Sequence, residues 1–397
     1  MITKRCCLAS LFLSLCLCQW GFAQRRINAG ASQARADAVI VENHPLLHTG
    51  QIFPVDSKDK LVGGDDAAAQ TKQVFTRLKK IVEVSKSELS DVVKLNLYVR
   101  DEADVPTIAR EINALWQEEN LPAVMWVQTP LPIEGARIAA DAVVIAHLND
   151  TITAVLRDDV ETRPAWSILP AGRAVYIAGQ AEPGETLAEA TVKTLESLHN
   201  TLKFMNLGDE HVVQIKTFLN PMSQVHDVDR AIAAFYKDRF PPPVSHVEWG
   251  SQGAIEIEMI AYVPADNTAI PSGERVVYLT PPPMTASPVF SRIALVNSPT
   301  KIYISGLTAD GEGDGEHEVR DIFSQLTTIL KEAESDLRHM AKATYYVSAD
   351  ESSNQLNMLR PKYYDPKRPP SASKAPVQGV GVKNRTLSID MIAVPAE

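Results

Sequence analysis

Three short sequence patterns recur in the same order three times along the 397 residues of the chain. Recurrence at a near-constant spacing indicates tandem copies of one structural unit, which limits the possible folds more than any other feature here. The first pattern is an apolar β-type run that ends in a small residue and a glycine (residues 47–51, 175–180 and 302–306). The second is a β-rich run (residues 91–99, 211–219 and 339–347). The third is a closing strand that contains one acid (Asp141, Glu258 and Asp390).

Amphipathic helices are predicted between these patterns. In the third copy, Val319, Ile322 and Leu326 follow the three-and-four spacing of one helical face, and a second helix follows the β-rich run in each copy. Each unit is therefore predicted to run strand-strand-helix-strand-helix-strand. This order is typical of an α+β two-layer sandwich, ferredoxin-like in outline, with a mainly antiparallel sheet and two helices on one face.

Polar, proline-bearing stretches separate the copies and set the predicted domain boundaries. We predict repeat 1 over residues 24–148, repeat 2 over 149–265 and repeat 3 over 266–397. The segment 275–280 also resembles a strand and is interpreted as an added sheet edge.

Residues 1–23 have the pattern of a signal peptide. Lys4 and Arg5 form a basic start, an apolar run follows, and small residues at Gly21 and Ala23 predict cleavage before Gln24. An uncleaved membrane anchor is the alternative, although the apolar run is short for a spanning helix. We therefore expect a periplasmic or secreted protein with no membrane attachment after cleavage. All four cysteines lie in this segment, so the mature chain can form neither a disulfide nor a thiolate metal site.

The net charge of −10 argues against nucleic-acid binding, which requires a basic surface. No histidine and carboxylate cluster has metal-ligand spacing; His44 and His48 lie four apart in a β-type segment rather than on a helix. We expect no metal and no cofactor.

Three stretches are similar to the RidA/YjgF (reactive intermediate deaminase, endoribonuclease L-PSP-like) family. They are QTKQVFTRLKKIVEVSKSELSDVVKLNLYVRDEADVPTI at 70–108, FPPPVSHVEWGSQGAIEIEMIAY at 240–262 and FSRIALVNSPTKIYISG at 290–306. The resemblance extends over almost all of residues 36–395.

This resemblance implies a chorismate-mutase-like fold, a trimeric arrangement and ligand clefts between neighbouring units. A single chain with three copies would then form an intrachain pseudo-trimer and be a monomer in solution. Deaminase members of the family hydrolyse imines or enamines to 2-keto acids and ammonia, so the expected ligand is a small anionic metabolite.

The family's carboxylate-binding arginine is expected after the second helix, in a Pro-Ala-Arg-like context. Val124 and Val244 stand there in repeats 1 and 2, and neither can bind a carboxylate ionically. In repeat 3 the alignment allows Lys374 or Ser373, with Lys374 preferred as a point charge without the guanidinium fork. Arg137 and Arg385, near two closing strands, are possible substitutes.

The remaining site residues are also carried over from the resemblance. The strand acids Asp141, Glu258 and Asp390 match the family's carboxylate, although each could equally be an outward-facing charge on an alternating strand. Repeat 3 keeps the most site residues. The expected catalytic residues are Lys374, Asp390 and Glu258, and the expected ligand-binding residues are Ser305, Gly306 and Asn357. Of His246 and Trp249, three apart on one strand, at most one can line the second cleft.

Two functions follow from these features. The first is an imine or enamine hydrolase acting at the repeat 3 cleft, with Lys374 holding an anion and Asp390 handling water. The second is a catalytically degenerate binding or scaffold protein, which the two valines favour. Ribonuclease activity, known for some family members, is disfavoured by the acidic charge and by the lack of a basic aromatic groove.

Overall fold

A computed structural model describes residues 24–28, 35–148, 152–158, 164–237 and 241–397. Within these ranges the chain forms three six-stranded sheets and six α-helices. The predicted signal peptide lies outside the described residues.

Each repeat contributes six strands and two helices. Repeat 1 contains β1 (Gln24–Ile27), β2 (Ala38–Val41), β3 (Leu46–Thr49), α1 (Ala67–Val82), β4 (Val92–Val99), α2 (Val105–Asn113), β5 (Ala123–Gln128) and β6 (Ile138–Ile145). Repeat 2 contains β7 (Leu156–Arg157), β8 (Trp166–Leu169), β9 (Ala174–Gln180), α3 (Leu187–Phe204), β10 (Val212–Leu219), α4 (Val225–Phe235), β11 (Val244–Glu248) and β12 (Ile255–Tyr262). Repeat 3 contains β13 (Val276–Leu279), β14 (Ile293–Val296), β15 (Lys301–Leu307), α5 (Gly315–Glu332), β16 (Met340–Val347), α6 (Asp350–Leu359), β17 (Ser371–Pro376) and β18 (Leu387–Ala393).

The predicted fold class is confirmed, with two strands more per repeat than the predicted order. The predicted order lacks the short first strand and the strand that directly follows the second helix. The segment interpreted as an added edge forms β13, which is the edge strand of its sheet. The second helices begin within a few residues of the β-rich runs, at Val105, Val225 and Asp350.

Local sequence explains where the first helices begin and which side they bury. The Asp66 carboxylate caps α1 by accepting hydrogen bonds from the backbone N–H groups of Ala68 and Ala69. Asp314 caps α5 in the same way. The apolar faces of α1, α3 and α5 each pack on one sheet and form the three separate cores between sheet and helices.

Strand order shows that neighbouring repeats exchange strands. The sheet of repeat 1 runs β5-β4-β6-β3-β8-β7, so its last two strands come from repeat 2. Repeat 2 in turn receives β14 and β13 from repeat 3, and repeat 3 receives β2 and β1 from repeat 1. In each sheet only the strand after the second helix pairs in parallel with its neighbour. The compact spatial units are thus offset by two strands from the predicted sequence repeats.

The inner faces of the three sheets meet at the centre of the molecule. One apolar cluster there combines residues of all three repeats, including Val39, Val143, Tyr176, Ile260 and Tyr303. A second central cluster contains Tyr98, Met125, Phe218, Trp249 and Tyr346. Buried charged residues of the second and third patterns, such as Lys94 and Asp390, also lie in this interior. The chain therefore folds as the expected intrachain pseudo-trimer.

Candidate functional site

Three equivalent contacts join the repeats into a closed ring. In each, the small residue and glycine of the first sequence pattern, which lie in or directly after β3, β9 or β15, contact the strand after the second helix of the next repeat. Gln51 donates its backbone N–H to Val244 O (3.0 Å), Gly179 donates to Ser373 Oγ (3.2 Å), and Val124 donates to Ser305 Oγ (2.7 Å). The ring therefore contains three non-identical clefts: repeat 1 with 2, repeat 2 with 3, and repeat 3 with 1.

Strand register corrects the expected position of the family arginine in repeat 3. Val124 pairs with Leu95 and Val244 pairs with Ile215, two equivalent positions of the β-rich run. The third equivalent, Ala343, pairs with Ala372. Ala372 therefore occupies the arginine position of repeat 3. Lys374 lies two residues further along the strand, at the position that His246 occupies in repeat 2 and Trp126 in repeat 1. All three arginine positions are apolar.

Lys374 and Asn357 do lie together, on the outer side of repeat 3. The Lys374 Nζ donates to Ser353 Oγ (3.0 Å) and to Asn357 Oδ1 (3.2 Å), and both partners lie on α6. Burial lowers the pKa of Lys374, and the charge of nearby Arg360 lowers it further. These two predicted residues thus form one small polar group.

Ser305 and Gly306 lie at a different cleft from Lys374. The buried Ser305 Oγ accepts from the Val124 backbone and donates to Ala36 O (2.6 Å). A Cβ added at Gly306 would lie 2.2 Å from the Sδ of Met125, so repeat 1 packs directly against this part of β15. The structure does not bring the predicted ligand-binding residues of repeat 3 into one pocket.

The strand acids lie in the interior and bridge repeats. Asp390 pairs with Lys94 (2.6 Å) and Glu258 pairs with Lys342 (2.8 Å), each across a repeat boundary. Burial alone would raise the pKa of Asp390, but Lys94 and the other lysines around it hold that pKa below its usual range. Both acids line a cavity of about 40 Å³, which holds little more than one water molecule.

Asp141, the equivalent acid of repeat 1, is also fully engaged. It accepts hydrogen bonds from Asn96 Nδ2 (2.7 Å), from Ser245 Oγ of repeat 2 (2.6 Å) and from the Tyr98 hydroxyl. The geometry of all three acids is that of buried interface contacts.

A larger cavity, of about 290 Å³, lies in the cleft between repeats 1 and 2. Repeat 1 supplies the turn after β3, two side chains of α1 and a loop before β6, and repeat 2 supplies groups on α4 and β11. Val244, at the arginine position, lies in its wall. The lining residues are Gly50, Gln51, Ile52, Phe53, Val55, Asp59, Arg77, Ile81, Pro132, Ile133, Pro164, Ala165, Asp229, Val244 and His246.

A threonine, a histidine and an aspartate form a hydrogen-bonded row at this cavity. The His246 Nε2 lies 3.0 Å from Asp229 Oδ1, and its Nδ1 lies 2.8 Å from Thr217 Oγ1. Thr217 is opposite His246 in the parallel pair of β10 and β11, which sets the ring orientation. With a neutral imidazole, Nε2–H donates to the carboxylate and the Thr217 hydroxyl donates to Nδ1.

His246 lines this cleft, whereas Trp249, the residue directly after β11, does not. Trp249 is buried instead beside a separate cavity between repeats 2 and 3. Asp229 occupies the position equivalent to Asn357, so His246 with Asp229 in repeat 2 corresponds to Lys374 with Asn357 in repeat 3.

The two possible substitutes for the family arginine make other contacts. Arg137 makes a two-pronged ion pair with Asp104 (2.8 and 2.9 Å), and Arg385 donates to Ala309 O (2.7 Å). Arg77 of α1 lines the cavity instead. Arg77 could not be predicted as a site residue from the sequence, because only the contact between repeats 1 and 2 brings α1 beside β11.

Among the described residues, no group of three or more histidine, cysteine, aspartate or glutamate side chains is arranged to hold a metal ion. No helix in the described ranges combines the length and apolar character needed to cross a membrane.

Comparison with known proteins agrees with the family resemblance found in the sequence. The family model described as Endoribonuclease L-PSP matches residues 27–146 and 163–263. The 3-aminoacrylate deaminase RutC of Acinetobacter baylyi is 33% identical over 103 residues, covering 26% of this chain and 79% of the relative. The 2-iminobutanoate/2-iminopropanoate deaminase of Salmonella typhimurium is 30% identical over 102 residues, covering 25% of this chain and 78% of that protein.

A solved structure of a Rid-family protein of unknown function, YyfB from Yersinia pestis, is 26% identical. The match covers 31% of this chain and 99% of that chain, with a TM-score of 0.29. Each of these three proteins is thus matched by a stretch about one repeat long.

Proposed function

Because the chain belongs to the endoribonuclease L-PSP (RidA/YjgF) family, we propose that it hydrolyses small imines or enamines in the cleft between repeats 1 and 2. The observation that carries this proposal is the hydrogen-bonded pair of His246 and Asp229 in the wall of a cavity of about 290 Å³. The cavity has the construction expected of a family cleft, with a glycine turn from one repeat and the strand after the second helix from the next. Two relatives matched over one repeat are named as deaminases of such compounds.

His246 and Asp229 would act as one acid–base unit. Water adds to the carbon of the C=N bond while the Asp229 carboxylate accepts a proton from that water. His246 holds the carboxylate through Nε2–H, and Thr217 fixes the ring from its other side. Transfer of that proton to nitrogen gives a carbinolamine. The proton of its hydroxyl group then moves to nitrogen through the same carboxylate, and cleavage of the C–N bond releases a carbonyl compound and ammonia.

This proposal moves the site away from the one predicted in repeat 3. The structure places Lys374 with Asn357, Ser305 with Gly306, and Glu258 with Asp390 in three separate locations. Both acids are already paired with lysines, and their shared cavity is too small for an imino acid. The repeat 1 and 2 cleft instead combines acid–base groups with open space.

A second candidate is a non-catalytic protein that binds small metabolites. The observation in its favour is that Val124, Val244 and Ala372 occupy all three positions of the family arginine. Binding of a ligand without turnover would support this candidate.

Hydrolysis can be tested with 2-iminobutanoate generated in situ, by following keto-acid release. We expect His246→Gln and Asp229→Asn to lower the rate by roughly 100-fold or more, the usual contribution of a positioned acid or base. His199→Gln is the matched control, because His199 forms a similar pair with Asp209 (2.8 Å) that does not line the cavity. The control should retain the wild-type rate.

Lys374→Ala separates the two possible locations. If this variant lost activity while His246→Gln kept it, catalysis would belong to repeat 3. If the wild type were no faster than buffer, hydrolysis of this substrate would be disproved for every cleft.

We also propose that the protein is exported, on the basis of the basic start, the apolar run and the small residues before Gln24. The protein should be found in the periplasm or medium of a bacterial host, and N-terminal sequencing should begin at Gln24. Recovery of a chain beginning at residue 1 would contradict cleavage.

A further inference from the structure

The cleft between repeats 1 and 2 has no cation at the position where the family carries its arginine. Val244 stands there and lies in the cavity wall. A carboxylate-bearing ligand would therefore need a cation from another element, because a buried carboxylate without a partner is strongly unfavourable.

Arg77 on α1 can supply this cation. Its guanidinium makes one long hydrogen bond, from Nη1 to Phe53 O (3.3 Å), and Phe53 also lines the cavity. Among the described residues no carboxylate lies within ion-pair distance of it, so most of its N–H donors are available to a ligand.

The environment of Arg77 also favours an anionic ligand. Burial lowers the pKa of Arg77, and only the charge of Asp59 opposes this effect. A partly desolvated guanidinium gains more from a carboxylate than an exposed one does, since a planar fork can donate to both oxygens at once. By contrast, Arg137 already donates two hydrogen bonds to a carboxylate.

The rest of the cavity wall contains many apolar side chains beside the polar Gln51 and Asp59. Side chains of Ile52, Val55, Ile81, Ile133 and Val244 line it, together with Pro132 and Pro164. Its volume of about 290 Å³ far exceeds what a methyl or ethyl side chain would fill. A ligand that left this space to water would forgo the free energy of burying apolar surface.

We propose that this cleft recognises 2-imino and 2-keto acids with bulky apolar side chains, and that Arg77 of repeat 1 binds their carboxylate in place of the absent strand arginine. The ligand then bridges two repeats, with its carboxylate on α1 and its reacting carbon towards Asp229 and His246 of repeat 2. This inference rests on the proposed function for the location of the site, but it concerns binding and can be tested without turnover.

Calorimetry of the full-length protein with stable keto acids provides the test. We expect 4-methyl-2-oxopentanoate to bind about 50-fold more tightly than pyruvate, because three additional carbons are buried. Arg77→Met should weaken binding of 4-methyl-2-oxopentanoate by roughly 10- to 100-fold, the effect of losing hydrogen bonds to a charged group. Arg77→Lys should recover part of the affinity, as a point charge without the fork.

Two controls show whether the carboxylate is the group recognised. The amide 4-methyl-2-oxopentanamide keeps the side chain but lacks the charge, so its weaker binding should not change in Arg77→Met. Arg110→Met removes an exposed arginine of α2 and should leave every affinity unchanged. Circular dichroism should show that Arg77→Met is folded, and Arg77→Gln provides a second, polar replacement if it is not.

The inference is overturned if Arg77→Met and Arg77→Gln bind 4-methyl-2-oxopentanoate as the wild type does, or if the wild type binds neither keto acid. Equal affinity for pyruvate would disprove the preference for bulky side chains. Binding that depends on Arg77 without any imine hydrolysis would disprove the proposed function alone. Hydrolysis with an unchanged KM in Arg77→Met would disprove the inference alone.

Discussion

Buried polar side chains at the centre of the molecule join repeats that have no covalent link there. Lys94 of repeat 1 pairs with Asp390 of repeat 3, and Lys342 of repeat 3 pairs with Glu258 of repeat 2. At the third boundary the equivalent of these lysines is Gln214, which donates to Thr49 O (2.9 Å) and faces His48. The three interfaces therefore differ in charge although their backbones are equivalent.

His48 gives this third interface a dependence on pH. Its side chain is 1% exposed, its Nδ1 lies 3.3 Å from Gln214 Oε1, and its Nε2 has no partner among the described residues. Burial lowers the pKa of His48 to about 4, because a proton on Nε2 would be buried without an acceptor. The unfolded state binds this proton near pH 6.5, so the native state is favoured fully above that pH and loses this advantage as pH falls towards 4.

We expect the lowered pKa of His48 to reduce the unfolding free energy by about 3 kcal/mol between pH 7 and pH 4, because only the unfolded state binds the proton readily. Urea denaturation of wild type and His48→Gln at pH 7 and pH 4 measures it, since the difference between the two proteins should change by about this amount. His317→Gln, at a partly exposed histidine, should show no comparable change. A constant difference between wild type and His48→Gln would show that His48 titrates normally.

The residue types of the site were predictable from sequence, but their groupings were not. Local patterns could identify the apolar replacements Val124 and Val244 and the polar residues Asn357 and Lys374. The partners of Glu258 and Asp390 could not, because each lysine comes from another repeat and no local pattern encodes that contact. The alignment of Lys374 with the arginine failed because only strand register separates it from Ala372.

At the scale of elements, strand exchange is the main feature that the sequence did not predict. Periodicity located the long helices α1, α3 and α5 and the β-rich runs, whose apolar residues face a core. The strands β1 and β7 are only four and two residues long and largely unburied, so they carry almost no pattern. The hydrophobic pattern of the sequence also does not distinguish pairing of β2 with the nearby β3 from pairing with the distant β15, because both candidate partners are apolar strands.

The exchange predicts which fragment of the chain can fold. Residues 42–170 contain all six strands of the repeat 1 sheet, whereas residues 24–148 lack β7 and β8 and carry β1 and β2 without their partner β15. We expect fragment 42–170 to show more strand by circular dichroism and greater resistance to protease than fragment 24–148. Equal order in both fragments would mean that β2 can fold back onto β3 of its own repeat.

At the scale of the whole molecule, the three contacts between neighbouring repeats close a cycle within one chain. Repeat 1 contacts repeat 2, repeat 2 contacts repeat 3, and repeat 3 contacts repeat 1 through Ser305 and Val124. A closed ring leaves no equivalent contact open for a second chain. The chain therefore has the architecture of a trimer, but its three units are joined in one polypeptide.

Sedimentation of the purified protein should accordingly show the mass of one chain. The result should not change with concentration, because the contacts that would otherwise require three subunits are intramolecular. A stable species with the mass of three chains would show that the repeats pair between chains instead.

The sheet of repeat 3 contains both the first strand and the last strand of the described chain, β1 and β18. A chain is synthesised from its N-terminus, and domains generally fold in that order. Here β1 and β2 are made early and cannot join the sheet of repeat 3 until β15 has been made. Until then their backbone groups are open edges, which are sites of aggregation. Closure of the ring therefore requires that all three repeats have been made, and a product that ends before repeat 3 would retain exposed strands that a cell can recognise and degrade.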